Sequence, residues 1–158
     1  GVADSFNALS VDGCQSTNDT VILLASGRAG AVDPDRFDRA VADVCADLAA
    51  QMAGDAEGAS KVIVVEVSGA ASDEEARQGA RKVAESQLVK CSFYGQDPYW
   101  GRVVSELGSA GIEFDPDRVS VAYGGERVCD GGVAIDHDTE AVEDTQDSPT
   151  TLNTETGT

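Results

Sequence analysis

Basic side chains are scarce in this 158-residue sequence: eleven Lys and Arg stand against 29 Asp and Glu, a formal charge of -18. Only three of the bases, Lys61, Lys82 and Lys90, are lysines. Such a surface repels phosphate backbones and anionic headgroups, so neither nucleic acid nor a membrane is an expected partner. Histidine occurs once, at His137, which argues against a Ser-His-Asp triad and leaves no second imidazole at zinc spacing. No apolar run approaches the roughly 20 residues that a membrane helix needs. Leu, Ile, Val and Phe total 34 residues, near the composition at which highly charged chains stop folding alone. A small core implies help from a partner.

The start, Gly1-Val2-Ala3-Asp4, lacks both an initiator Met and a leader with a basic end and apolar middle. It reads as a cut, made by processing or by an incomplete reading frame. The four cysteines, Cys14, Cys45, Cys91 and Cys129, stand 31, 46 and 38 residues apart, too far for a metal knuckle or redox pair. Cys45 on an apolar helical face and Cys91 just after one read as small buried thiols, which fits a reducing cytoplasm. The acid excess suits solubility in concentrated salt, so a halophilic source is the preferred expectation and an acid-rich mesophile the alternative.

What is present is alternation of strand and helix patterns. A mixed apolar run over Ser5 to Val11 predicts a strand, turned by Asp12-Gly13. "TVILLA", Thr20 to Ala25, predicts a strand covered on both faces. Asp33-Pro34 is a helix cap and first-turn proline; Phe37, Val41, Val44, Leu48 and Met52 then recur at helical steps, with Arg36, Arg39, Asp43 and Asp47 outward. "KVIVVEV", Lys61 to Val67, predicts another strand. Ser72 and Glu75 form a capping box before a helix carrying Ala76, Ala80, Val83, Ala84 and Leu88 on one side. Asp97-Pro98 repeats the cap-plus-proline pattern before Trp100, Val103, Val104 and Leu107. Val119 to Tyr123 and "RVCDGGVAI" predict two strands joined at Gly124-Gly125. The result is an α/β domain of layered sheet and helices over residues 1–135. Residues 136–158, with seven acids, seven threonines and no Lys or Arg, predict a disordered acidic tail.

Few side chains point to chemistry. His137 between Asp136 and Asp138 reads as a solvated cluster, and "DPDRFD", Asp33 to Asp38, lacks the glycine and distal Glu of a calcium loop. No metal site is expected. "YGG" and "DGG" open no helix, so they are not dinucleotide fingerprints. Two stretches remain. "GDAEGASK", Gly54 to Lys61, carries Glu57 where a turn residue would serve; by its residues alone it is a solvated loop acid. "GQDPYWGR", Gly95 to Arg102, sets the sole Trp beside an Arg at a helix start, which is either packing and pairing or the wall of an anion-friendly pocket.

In order and spacing, "SFNALSVDGCQSTNDTVILLASG", "DAEGASK", "GAASDEEARQGARKVAESQLVK" and "GQDPYWGR" resemble the β-chain of the ornithine acetyltransferase family, also called bifunctional glutamate N-acetyltransferase. The similarity runs from about Ser5 to Asp136. It implies a layered α/β fold of that type, present in part, and an acyltransferase of arginine biosynthesis moving an acetyl group from N2-acetylornithine to glutamate. Family members cleave themselves into two chains and expose a threonine that is nucleophile and, through its amine, base. That threonine, the rest of the β-chain's start and the α-chain would precede Gly1, so the chain is expected to be inactive alone and to belong to a hetero-oligomer. No cofactor is implied, though acetyl-CoA is an alternative acetyl donor.

The resemblance assigns Glu57, in the "EGASK" motif, to the ammonium group of an amino-acid substrate, and Asp97, Trp100 and Arg102 to support of the pocket; Tyr99 departs from the commoner Asn. Asn153 and Thr158 have the spacing of the family's closing Asn and terminal Thr, which contact substrate, although the preceding segment is short and the family's closing strands are expected to be missing. Ser16, Thr17, Asn18 and Asp19 then read as a polar loop near the pocket that satisfies backbone groups. Two other readings stand beside this one: a non-catalytic scaffold subunit, and a self-processing aminopeptidase relative.

Overall fold

The computed structural model describes residues 1–145 and 150–156, and side chains in all of these except 150–153. The chain divides into two compact units, Gly1–Glu57 and Gly58–Thr158.

In the first unit the one regular element among the described residues is helix α1, Pro34–Gly54. Asp33 caps it, its carboxylate accepting from the Arg36 amide, and the first-turn proline loses nothing there because an amide at that position has no helical partner. Cys45 and Ala49 are its buried positions. Phe37, Val44, Leu48 and Met52, on the expected core face, are 40 to 59% exposed. The two predicted strands do not form. Residues 5–9 make turns, with Ala8 and Leu9 amides both donating to the Ser5 carbonyl, and the Ser5 hydroxyl donating to the Gly1 carbonyl at 2.7 Å. The "TVILLA" run is unpaired backbone with Val21, Ile22, Leu23 and Leu24 at 55, 70, 66 and 89% exposure. An apolar hexapeptide becomes a covered strand only beside a neighbour that takes up its backbone groups, and no described strand pairs with it.

The second unit is built on a five-stranded sheet in the order β1-β5-β2-β3-β4: β1 Ile63–Ser68, β2 Ser120–Tyr123, β3 Glu126–Asp130, β4 Val133–Ala134 and β5 Thr150–Glu155. β1 runs parallel to β5; the other pairings are antiparallel. Alternation along β1 turns Ile63, Val65 and Val67 to the core side. In the register of β2 with β5, Val121 stands opposite Thr154 and Tyr123 opposite Leu152. Helices α2 (Asp73–Glu85), α3 (Gln87–Tyr94) and α4 (Trp100–Gly108) supply Val83, Val89, Phe93, Val103 and Leu107 to the core. Each such buried side chain contributes about 1.5–3 kcal/mol. Gly79, buried on α2, lets that helix lie close to Leu107 and Ile112, whose methyls would stand 3.2 and 3.1 Å from an added Cβ.

The second unit departs from expectation at three places. The helix predicted from Ser72 through Leu88 breaks at Ser86, which ends α2 and caps α3 by accepting from the Val89 amide. The break shifts the helical phase, so Val89 is buried and Leu88 is 60% exposed. Cys91 is exposed for the same reason; Cys14, in a loop of the first unit, is exposed as well, whereas Cys45 and Cys129 are buried. "RVCDGGVAI" forms two strands, β3 and β4, because Gly131 and Gly132 turn it at φ 57° and 72°. Finally, the segment expected to be a disordered tail contains helix α5, Thr139–Thr145, and strand β5, which lies between β1 and β2. Val142 and Thr154 are buried, so the segment's few apolar groups and its β-favouring threonines go into the core and sheet rather than into solvent.

Candidate functional site

The "GQDPYWGR" stretch folds into a small braced structure joining α3 to α4. Gly95 and Gln96 amides close the end of α3 on Cys91 and Phe93 carbonyls. Gln96 has φ 51°, the one positive value among described non-glycine residues, a left-handed conformation that costs about 1 kcal/mol. It turns the chain so that the Asp97 amide reaches the Ser92 carbonyl at 2.9 Å.

The sequence predicts Asp97 as the cap of the next helix. Instead α4 begins at Trp100 with Tyr99 at its N-cap and no side-chain cap bond. The Asp97 carboxylate is engaged elsewhere: Oδ2 lies 3.3 Å from Arg102 Nη2. Arg102 Nη1 donates to the Leu88 carbonyl at 3.3 Å, and its guanidinium stands 5.9 Å from the centroid of the Tyr99 ring. One planar cation therefore holds the start of α3, the interhelical turn and the start of α4 together. Lysine has no such fork. Gly101 permits this, since an added Cβ would lie 2.9 Å from Cζ of the Tyr99 ring. Trp100 is half-buried and packs against the core. Asp97, Trp100 and Arg102 are thus one local assembly.

Tyr123, at the end of β2, is a group that the sequence reading missed. Its ring is fully buried against Phe93, with centroids 5.5 Å apart and planes at 53°. Burial drives the phenol well above its ordinary value of 10.0, with the Asp97 charge adding to the rise and Arg102 opposing it. The hydroxyl has no hydrogen-bond partner among the described residues. No local motif marks it; an aromatic ending a core strand is ordinary in sequence.

The other expected site residues lie apart from this assembly in the chain. Glu57 closes the first unit, exposed in the turn after α1 and followed by Gly58 at φ 73°. Asn153 falls in β5, in register with Glu66 and Ala122; Thr158 lies outside the described residues. In the polar loop, the Ser16 hydroxyl accepts from the Asn18 and Asp19 amides at 3.3 and 2.8 Å, the backbone-satisfying role expected of it. His137 is half-buried with Nδ1 2.8 Å from the Ile135 carbonyl. No three His, Cys, Asp or Glu side chains cluster at metal-binding distance among the described residues.

A layered α/β chain carrying a braced "DPYWGR" turn is the class so defined, and the comparisons with known proteins agree. A family model described as the ArgJ family matches residues 1–155. The arginine biosynthesis bifunctional protein ArgJ of Streptomyces coelicolor is 49% identical over 136 residues, 85% of this chain and 36% of that protein. The protein of the same name from Thermobifida fusca is 48% identical over 129 residues, 81% of this chain and 34% of that one. The crystal structure of arginine biosynthesis bifunctional protein argJ from Bacillus halodurans matches with a TM-score of 0.93 at 34% identity, covering 99% of this chain and 78% of that chain. The chain belongs to the ArgJ family. It spans about a third of the length of the curated relatives it matches. The family match continues past Asp136, where the resemblance read from motifs stops, and takes in β5.

Proposed function

We propose that this chain forms part of the amino-acid pocket of an acyltransferase that moves an acetyl group from N2-acetylornithine to glutamate in arginine biosynthesis. Its membership of the ArgJ family over residues 1–155 is the observation that carries the reading. The relatives' name, arginine biosynthesis bifunctional protein, and the Asp97–Arg102 brace within the family motif support it.

In the proposed reaction a threonine hydroxyl, supplied by polypeptide outside this chain, attacks the acetamide carbonyl of acetylornithine. The C–N bond breaks, ornithine leaves with its amine protonated, and an ester holds the acetyl group. The amine of glutamate attacks that ester, which frees the hydroxyl and completes acetylglutamate. Glu57 is exposed in the turn after α1; as the acid of the family's "EGASK" motif it is assigned to the substrate ammonium, which a carboxylate holds by charge-assisted hydrogen bonds. The family resemblance assigns Asp97, Trp100 and Arg102 to the support of a pocket, and Asn153 and Thr158 to substrate contact. Without a nucleophile this chain does not turn over alone, since positioning and oxyanion donors provide most of the rate. A second chain from self-cleavage, a hetero-oligomer and a cytoplasmic setting belong to the same reading. No helix among the described residues is long and apolar enough to cross a membrane.

The exposed Val21–Leu24 run favours a second reading, a scaffold unit stabilised by a partner. The test is to assay the full-length gene product and this chain separately with acetylornithine, or acetyl-CoA, plus glutamate. Acetylglutamate from the full-length protein and none from the chain is expected. Turnover by the chain overturns the inactivity argument. A full-length protein that only hydrolyses peptide amides is an aminopeptidase, and one inert to all of these substrates is a scaffold.

A further inference from the structure

The first unit, Gly1–Glu57, encloses no core of its own. Its buried residues are Ser5, Cys45 and Ala49, whereas eight large apolar side chains, four in the 20–25 run and four on α1, are 40 to 89% exposed. In the run, residues 21–25 exchange no backbone hydrogen bond with any described residue. Alternate positions are equally open, Val21 and Leu23 at 55 and 66%, Ile22 and Leu24 at 70 and 89%. Successive strand residues face opposite ways, so a run apolar at every position suits an interior strand, paired along its length and covered on both faces. Its ends are already closed. Before it the Ser16 hydroxyl accepts from the Asp19 amide at 2.8 Å; after it the Gly30 amide reaches the Gly27 carbonyl at 3.4 Å, with φ 84° and 70° at these glycines. On α1, Phe37, Val44, Leu48 and Met52 follow one another at steps of seven, four and four and so share one side of the helix. The adjoining side is occupied by the start of the chain: a Cβ added at Gly1 would stand 3.3 Å from Val41 Cγ1 and 3.4 Å from Cys45 Sγ.

We propose that residues 20–25 are an interior strand of a sheet whose other strands come from the part of the gene product outside this chain, and that α1 packs on that sheet through Phe37, Val44, Leu48 and Met52. A strand needs neighbours for its amides and carbonyls, and an apolar helix stripe needs a sheet or helix to cover it. Polypeptide to supply both exists: the chain spans about a third of the relatives' length. It also shares its fold, at a TM-score of 0.93, with a solved chain of which it covers 78%. A second copy fits less well. Pairing the run with itself about a two-fold axis fills one edge and leaves the other open, and each copy brings a charge of -18. The inference deepens the partner half of the reading above and rests on family membership, not on acetyl transfer.

The experiment is amide hydrogen exchange at residues 21–25, in the full-length gene product and in this chain alone over a range of concentrations. In the full-length protein these amides are expected to exchange at least about a thousandfold more slowly than in an unfolded peptide, and in the chain alone within about tenfold of it. Leu23→Pro removes an amide donor from the run, and Leu48→Asp puts a charge on the stripe. Each should lower the full-length melting temperature by more than about 5 °C and that of the chain alone by less than about 2 °C. Fast exchange in the full-length protein, or equal melting shifts in both proteins, overturns the inference. Slow exchange in the chain alone also overturns it: protection that grows with concentration makes a second copy the occupant, and protection that does not makes the run self-sufficient. If the chain does not fold alone, the full-length protein decides, since slow exchange together with both melting losses supports the inference and the lack of either defeats it. A full-length protein that transfers no acetyl group ends the function reading and leaves these readouts as they are.

Discussion

Arg102 holds Asp97 with one arm and the Leu88 carbonyl with the other, each at 3.3 Å. The Arg102 side chain is 29% exposed and that of Asp97 56%. The ion pair itself is therefore partly screened and worth little alone. The value of the arrangement lies in its shared geometry: one cation ends three pieces of chain. Arg102→Lys keeps the charge and removes the fork. Its expected cost is about 1 kcal/mol in a urea unfolding titration, with an unchanged slope, and Asp97→Asn in the same background adds little further loss. A full additional loss on Asp97→Asn would show that the carboxylate acts independently of the guanidinium.

Ser86 joins three helices through one hydroxyl. Its Oγ accepts from the Val89 amide to cap α3 and donates to Glu106 Oε1 on α4 at 2.8 Å, while Lys82 of α2 stands 3.6 Å from Glu106 Oε2. At 8% exposure, water cannot easily replace either bond. Ser86→Ala is expected to destabilise the protein by about 1–2 kcal/mol, the loss of a cap plus an abandoned carboxylate acceptor. Ser86→Thr should recover most of it. Chemical denaturation of the three proteins checks this, and equal stability of the Ala variant and wild type would disprove the joint role.

The sequence makes the helices legible where one side chain sets an end, and less so where a partner sets it. Asp33-Pro34 and Ser72 mark the starts of α1 and α2 because their cap bonds reach only three residues ahead, to Arg36 and Glu75. The same logic misplaces Asp97, since the local cap competes with an arginine five residues on and loses. Ser86 hides inside a run of good helix formers, and nothing within one turn of it shows that α3 must change direction over Glu106. Thr20–Ala25 and the acidic segment fail in opposite senses. The apolar run has strand composition but no described neighbour to pair with. The acidic segment is too polar to fold by itself, yet β1 and β2 flank its β5 on both sides. Of the candidate site, the cluster at Asp97, Trp100 and Arg102 could be read from its motif. Tyr123 could not, because its packing on Phe93 is set by sheet register and ring geometry, not by spacing along the chain.

Alkaline pH should weaken the fold through two buried groups. Burial raises the Cys129 thiol above its ordinary 9.0, and raises Tyr123 above 10.0. Both are held protonated in the folded chain, so above their ordinary values the unfolded chain binds fewer protons than the folded one. Stability is then fully present below about pH 9 and falls as pH climbs through the raised values. Urea midpoints from about pH 8 to about pH 10.5 should decline. Tyr123→Phe should flatten the upper part of the curve and Cys129→Ala the lower. A flat profile in the wild type would rule out the linkage.

The excess of acids makes salt a stabiliser. At a net charge of -18, repulsion between surface carboxylates opposes compaction. It is damped when the Debye length falls from about 10 Å at 0.1 M to about 3 Å at 1 M. The exposed ion pairs Arg81–Glu85 and Arg127–Asp130, both at 2.9 Å, lose strength at the same time, but each is worth well under about 1 kcal/mol. The melting temperature should rise steadily from about 0.1 to about 2 M NaCl, and a fall would mean that the pairs outweigh the repulsion.

Glu57 offers the sharpest separation of binding from folding. It is exposed on a turn after α1, with no hydrogen bond or ion pair among the described residues that would make it a support of the fold. Surface substitutions of that kind shift stability by no more than about 0.5 kcal/mol. A charged hydrogen bond to a substrate ammonium is worth about 1.5–3 kcal/mol, or roughly 10- to 150-fold in affinity. Glu57→Gln in the full-length protein should therefore leave the melting temperature where it is and raise KM for acetylornithine by at least about tenfold. Glu57→Asp should fall between, because the charge survives but its reach is shortened by one methylene. An unchanged KM in Glu57→Gln would remove this carboxylate from the pocket whatever the remaining chemistry proves to be.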